Sequence, residues 1–143
     1  MKRMKLIILY LAFTIPALAP MTTVIDIQEK SSIQPYEKIW QAVCKIESSN
    51  NPKAYRMDDN GYPSVGIVQI QQSRLNDFKK HTGINYTLED MYSPEKSKIV
   101  FLFYACEFQP YDVEIISRCW NAGPRGITMK CTKKYYFKIK KAL

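Results

Sequence analysis

The chain has 143 residues, enough for one domain with a single sizeable core. Hydrophobic residues make up 46% of it and charged residues 24%, a globular composition that excludes a disordered polyelectrolyte. The formal charge of +8, from 21 basic against 13 acidic residues, points to anionic surroundings and says nothing about fold.

At the N-terminus, Lys2, Arg3 and Lys5 precede an apolar run from Leu6 to Ile15 and then Ala17-Leu18-Ala19. This is the pattern of a secretory signal peptide over residues 1–19, too short for a comfortable membrane span. Pro20 follows directly and disfavours cleavage at that bond, so the alternatives are a cut nearby or retention as a membrane anchor. The protein is expected to be exported, to a periplasm or to the outside. Loss of residues 1–19 leaves 18 basic and 13 acidic residues, a formal +5. Residues 20–32 are polar without a period and read as a linker, and residues 33–143 read as the folded domain.

Pro35 suits the first turn of a helix, Glu37 adds the acid favoured there, and the helix is predicted to run to about Ser48. Tyr36, Trp40 and Val43 precede Glu47 by 11, 7 and 4 residues, which places all four on one helical face. A carboxyl among apolar neighbours loses hydration when it ionises, so its pKa rises. A general acid working near neutral pH needs that property. The plainer alternative is a glutamate that is solvated, or paired with a base, at a helix end.

Residues 50–65 read as a loop, with a hairpin between Tyr55 and Val65 turning at Asp59-Asn60-Gly61. The short apolar segment Gly66-Ile67-Val68-Gln69-Ile70 follows, with one amide inside it. A polar helix is predicted from Ser73 to His81, closed by Gly83, with His81 on the surface and without a catalytic role. Thr87 to Met91 reads as one helical turn. Ser93-Pro94 is a start signal for a helix from Glu95 to Phe108, whose Ile99, Val100, Leu102, Phe103 and Cys106 mark it as the central core helix. Asp112 can cap the next helix, which passes through Ile115, Ile116, Cys119 and Trp120 and breaks at Gly123-Pro124. The last helix is predicted over Lys133 to Ala142. Its lysines interleave with Tyr135, Tyr136, Phe137 and Ile139, which fits a packed amphipathic helix better than a nucleic-acid arm. The fold class is mainly α with at most a small β-hairpin, and no nucleic-acid partner is expected.

Four cysteines, Cys44, Cys106, Cys119 and Cys131, form an even set in an exported chain and predict two disulfides, with three pairings open. A single histidine and the lack of a close cysteine pair argue against a metal site, and no cofactor is expected. Ten tyrosines are a surplus that serves either a core or a saccharide groove, because the ring can stack on a sugar and still hydrogen-bond.

Four segments recur in a fixed order: Glu47-Ser48-x-x-Asn51-Pro52-x-Ala54, Gly66-x-x-Gln69-Ile70, the Ser93-Pro94 helix and Trp120-Asn121-Ala122-Gly123-Pro124. With these motifs the chain resembles the soluble lytic transglycosylases, relatives of goose-type lysozyme that cut bacterial peptidoglycan. The resemblance covers about Ile33 to Leu143 and implies a lysozyme-like helical domain. It implies that Glu47 is the single catalytic glutamate. It also implies that Ser48, Gln69, Trp120 and Asn121 belong to the substrate site, with Gln69 holding the glycan and Asn121 lining the site opposite Glu47. Trp120 departs from the family's usual tyrosine, and an indole can donate but not accept. The long loop between the first two motifs looks more like specialised members that serve secretion or conjugation machinery.

In such enzymes one glutamate first protonates the glycosidic oxygen between MurNAc and GlcNAc. It then takes the C6 hydroxyl proton, and that oxygen closes a 1,6-anhydro ring in the same sugar. A rival reading is a hydrolase of goose-type muramidase character, in which Asp58 or Asp59 positions a water, although Asp-Asp-Asn-Gly is also an ordinary solvated turn. A second rival is a non-catalytic peptidoglycan-binding module of a secretion, conjugation or phage-entry assembly. Peptidoglycan strands are the expected partner of a monomer.

Overall fold

A computed structural model describes residues 36–108 and 111–143. The expected signal peptide, the linker and Pro35 lie outside the described residues. Among those described are five α-helices and a small three-stranded antiparallel sheet, in the order α1 (Tyr36–Ser48), β1 (Tyr55–Met57), β2 (Pro63–Val65), β3 (Ile70–Gln71), α2 (Gln72–Thr82), α3 (Pro94–Ala105), α4 (Val113–Ala122) and α5 (Lys133–Ala142). Short 3-10 turns at Glu89–Tyr92, Gly126–Thr128 and Lys130–Thr132 complete the chain. The mainly α reading holds.

The core forms around α3, which is apolar on most of its circumference and so must be covered on most sides. Ile99, Val100, Phe101, Leu102, Phe103 and Ala105 are all buried. The helix starts as its sequence predicts: Ser93 accepts the Lys96 backbone N–H, and Pro94 takes a first-turn position where no N–H is needed. It ends at Ala105, three residues earlier than expected. From its middle, the Phe101 ring meets Trp40 of α1 at 5.5 Å and Trp120 of α4 at 5.1 Å between centroids. One aromatic thus fixes the two helices that carry the first and last motifs.

Helix α1 buries Tyr36, Ile39, Trp40, Ala42, Val43 and Cys44, the face read from its spacing. Beyond Ser48 the chain turns through two non-glycine residues in the left-handed region, Ser49 (φ 55°) and Asn50 (φ 64°). That conformation is uncommon for side-chain-bearing residues, although asparagine tolerates it better than most. The turn is held by the Asn50 N–H on the Cys44 carbonyl at 3.1 Å, and by the Ser48 hydroxyl, which accepts the Asn51 N–H and donates to the Ile67 carbonyl at 2.7 Å.

The predicted hairpin is present, with Tyr55 opposite Val65 and Met57 opposite Pro63. Its turn is organised by Asp58, whose carboxylate accepts the Asn60 and Tyr62 N–H groups. A third strand beyond the predicted hairpin pairs Ile70 with Val65 and Gln71 with Ser64. The link from β2 to β3 depends on Gly66. Its φ is +81°, and a Cβ there would lie 2.0 Å from the Met91 carbonyl oxygen. Only glycine lets the chain pass that close.

Asp112 caps α4 by accepting the Ile115 N–H at 2.8 Å. The buried Arg118 donates from Nε to Thr132 Oγ1 and from Nη2 to the Met129 carbonyl, and it pairs with Glu114. These bonds tie α4 to the turns that lead into α5, which packs against both α1 and α4 and buries Ile139.

The disulfide expectation is overturned, since none of the four cysteines is bonded to another. Cys44 is buried in the core face of α1, where burial pushes its thiol up to about 12. Cys119 is buried in α4 with its sulfur 3.6 Å from the Pro124 carbonyl, and Cys131 is exposed on the last turn. An even count satisfies the arithmetic of pairing but says nothing of whether two sulfurs meet in the fold.

Candidate active site

A groove of about 570 Å³ runs between the sheet, α2 and the C-terminal end of α4. Glu47, Gln69, Trp120 and Asn121 all line it, so the folded chain brings together four of the five residues singled out in the sequence. Ser48 does not line it. Its hydroxyl bridges α1 to the Gly66–Ile70 segment from behind, a positioning contact.

Glu47 sits in the last turn of α1 and is half-buried. Burial raises its pKa. Four influences oppose that rise without cancelling it: a hydrogen bond from Tyr135, and the positive charges of Arg56, Arg74 and Lys138. The Tyr135 hydroxyl of α5 donates to Glu47 Oε1 at 2.6 Å. Tyr135 is itself held well above its ordinary pKa by burial and by the adjacent carboxylate, so it remains a donor across the working range. The charges that act most strongly on Glu47 are all basic. Its carboxyl can therefore carry a proton above the usual carboxylate range and still be stabilised when it gives that proton up.

Gln69 lies in the tight turn between β2 and β3 with a left-handed backbone (φ 55°). Its side-chain amide donates to the Gly66 carbonyl at 3.0 Å, which holds it at the groove wall. Asn121 is exposed on the last turn of α4, on the wall formed by that helix. Trp120 is buried and forms part of the lining against Phe101. No hydrogen bond joins Trp120 to Glu47. The hydroxyl at the carboxyl belongs to Tyr135, from a different helix.

Two groups escape the sequence reading, one bonded to Glu47 and one lining the groove. Tyr135 is one of several aromatic residues in a lysine-rich helix, and its meeting with Glu47 spans 88 residues. The one readable signal was its position four residues before Ile139, on the helix face expected to be buried. Arg74 carried no signal in a polar helix. It extends into the groove, donates from Nη2 to the Trp120 carbonyl at 2.8 Å, and lies 4.1 Å from the centroid of the Trp120 ring.

The solved structure of Tapes japonica lysozyme matches this fold with a TM-score of 0.59 and 30% sequence identity, over 73% of this chain and 88% of that one. The chain belongs to the lysozyme-like family. No family model and no curated protein matches it. Membership of the lysozyme-like family carries a coarse assignment, a glycan-cleaving enzyme.

Proposed function

We propose that this lysozyme-like protein is a peptidoglycan lytic transglycosylase in which Glu47 acts first as acid and then as base. The observation that carries the reading is the environment of that one carboxyl. It is half-buried, its pKa is raised, it is hydrogen-bonded by Tyr135, and it is surrounded by positive rather than negative charge. The protonated form delivers a proton to the glycosidic oxygen. The carboxylate left behind is held by Tyr135 and takes the C6 hydroxyl proton of the same MurNAc, whose oxygen attacks the anomeric carbon. A bond within one sugar forms as the bond between two breaks, and no water is consumed. Gln69 and Asn121 hold the strand from opposite walls, and Trp120 supports the floor between them. A module that only binds has no use for a carboxyl kept in this state.

Hydrolysis is the second reading, and it rests on Asp58. Three donors, the Asn60 and Tyr62 N–H groups and the Gln71 amide, keep its pKa below the ordinary value, so it stays ionised, and Gln71 lines the groove. Against it, the same three bonds commit the carboxylate to its turn.

Digestion of purified peptidoglycan followed by mass spectrometry separates the two. The transglycosylase reading expects 1,6-anhydro muropeptides, lighter by one water than reducing ends. Reducing products alone overturn it in favour of hydrolysis. Export, expected from the N-terminal pattern, is the localisation that gives the enzyme access to this substrate.

A further inference from the structure

Arg74 reaches the groove from the first turn of α2. Its guanidinium lies over two rings, Trp120 at 4.1 Å and Tyr104 at 4.9 Å from the centroids, which fixes the plane of the fork. One nitrogen is committed to the Trp120 carbonyl. No carboxylate pairs with Arg74 among the described residues. Asp77 and Glu47 act on it through their charge, and the Asp77 carboxylate accepts the Tyr104 hydroxyl at 2.8 Å. No buried side-chain nitrogen or oxygen among the described residues is left without a partner, so the uncommitted nitrogens of Arg74 open on the groove.

A second feature, the N-terminus of the same helix, has the same sign. Helix α2 begins at the groove, where Gln71 and Ser73 line the wall. Its N-terminus has no side-chain cap and no acidic residue in the first turn. No acid of its own first turn offsets its partial positive charge, and the nearby Asp58 carboxylate is taken up by the Gln71 side chain and the hairpin turn. Arg56 adds a third positive group at the exposed rim.

We infer that Arg74, with the open N-terminus of α2, forms a carboxylate-binding subsite beside Glu47, so that the groove selects glycans carrying an acidic substituent over neutral chains of the same length. The inference rests on the proposed peptidoglycan substrate. Such a strand offers the carboxylate from two sources: a free lactyl group on a peptide-free MurNAc, or an acidic residue of a stem peptide. A guanidinium has five N–H donors, and with one committed to the Trp120 carbonyl it keeps donors for either carboxylate.

The test is binding to the Glu47→Gln protein, which is not expected to turn the ligands over. Three probes are compared by isothermal titration: chitotetraose, peptide-free (GlcNAc-MurNAc)₂, and the same tetrasaccharide with its stem peptides. The inference expects a carboxylate-bearing ligand to bind about tenfold or more tighter than chitotetraose in low salt, the worth of a hydrogen-bonded charge. It expects that margin to shrink as salt is raised, while chitotetraose is unaffected. Adding Arg74→Gln should abolish the preference and leave chitotetraose binding in place. The tighter of the two anionic ligands identifies the source. Equal affinity for neutral and anionic ligands, or a preference that survives Arg74→Gln, overturns the subsite and leaves the glycan enzyme standing. Failure of all three ligands to bind overturns the enzyme reading as well. Should Arg74→Gln fail to fold, the salt dependence with arginine in place still decides, because a preference that ignores salt is not electrostatic.

Discussion

Replacing Tyr135 with phenylalanine removes one oxygen and keeps the ring in its packed place. The lost bond is a 2.6 Å O–H···O contact to a carboxyl, within the range of short charge-assisted bonds. Hydrogen bonds to charged groups contribute about 1.5–3 kcal/mol. In the acid step Glu47 is neutral before reaction and becomes negative as its proton leaves, so Tyr135 stabilises the transition state more than the ground state. At 1.36 kcal/mol per tenfold, Tyr135→Phe should slow turnover by about 10- to 100-fold. The same change removes an influence that lowers the Glu47 pKa, so the proton is held more tightly. The alkaline limb of the pH–rate profile must then move to higher pH even as the maximum falls. Turnover of a soluble peptidoglycan fragment across pH 4–9 gives both readings, and circular dichroism confirms the fold. Unchanged turnover, or a limb displaced to lower pH, refutes this account of the carboxyl.

Two further outcomes follow from the same structure. Gly66→Ala places a Cβ 2.0 Å from a backbone oxygen at a φ of +81° and should destabilise the protein by about 2–5 kcal/mol in urea unfolding; a loss below ~0.5 kcal/mol contradicts the close approach to Met91. The Glu47 pKa is raised in the folded state above its ordinary value of 4.5, so the folded protein holds the proton longer than the unfolded chain. Stability from this group therefore falls as pH rises from that ordinary value to the folded one, and the cost persists above it. Glu47→Gln removes the cost, so the variant's stability advantage should widen between pH 4 and pH 7; a constant gap means that the carboxyl is not desolvated.

Much of the frame is legible in the sequence because its signals are local. Ser93-Pro94 and Asp112 are caps whose partners lie within three residues. The spacing of Tyr36, Trp40, Val43 and Glu47 puts a carboxyl on a buried face within one helix. What escapes is non-local. Strand β3 is two residues long, too short for any alternation, and exists through its pairing with β2. Tyr135 and Arg74 reach their partners across 88 and 46 residues, and no periodicity encodes such meetings. The cysteine count suggested disulfides because counting ignores direction, whereas burial within α1 keeps Cys44 an apolar core residue.

Glu47→Gln, assayed for lysis of peptidoglycan beside the wild type and with its unfolding curve recorded, puts the least inference between claim and result. The side chain keeps its size and can still accept from Tyr135, but it has no proton to give. Lysis should vanish while the protein stays folded and at least as stable at pH 7. A folded Glu47→Gln protein that still clears peptidoglycan means that the proton comes from somewhere else.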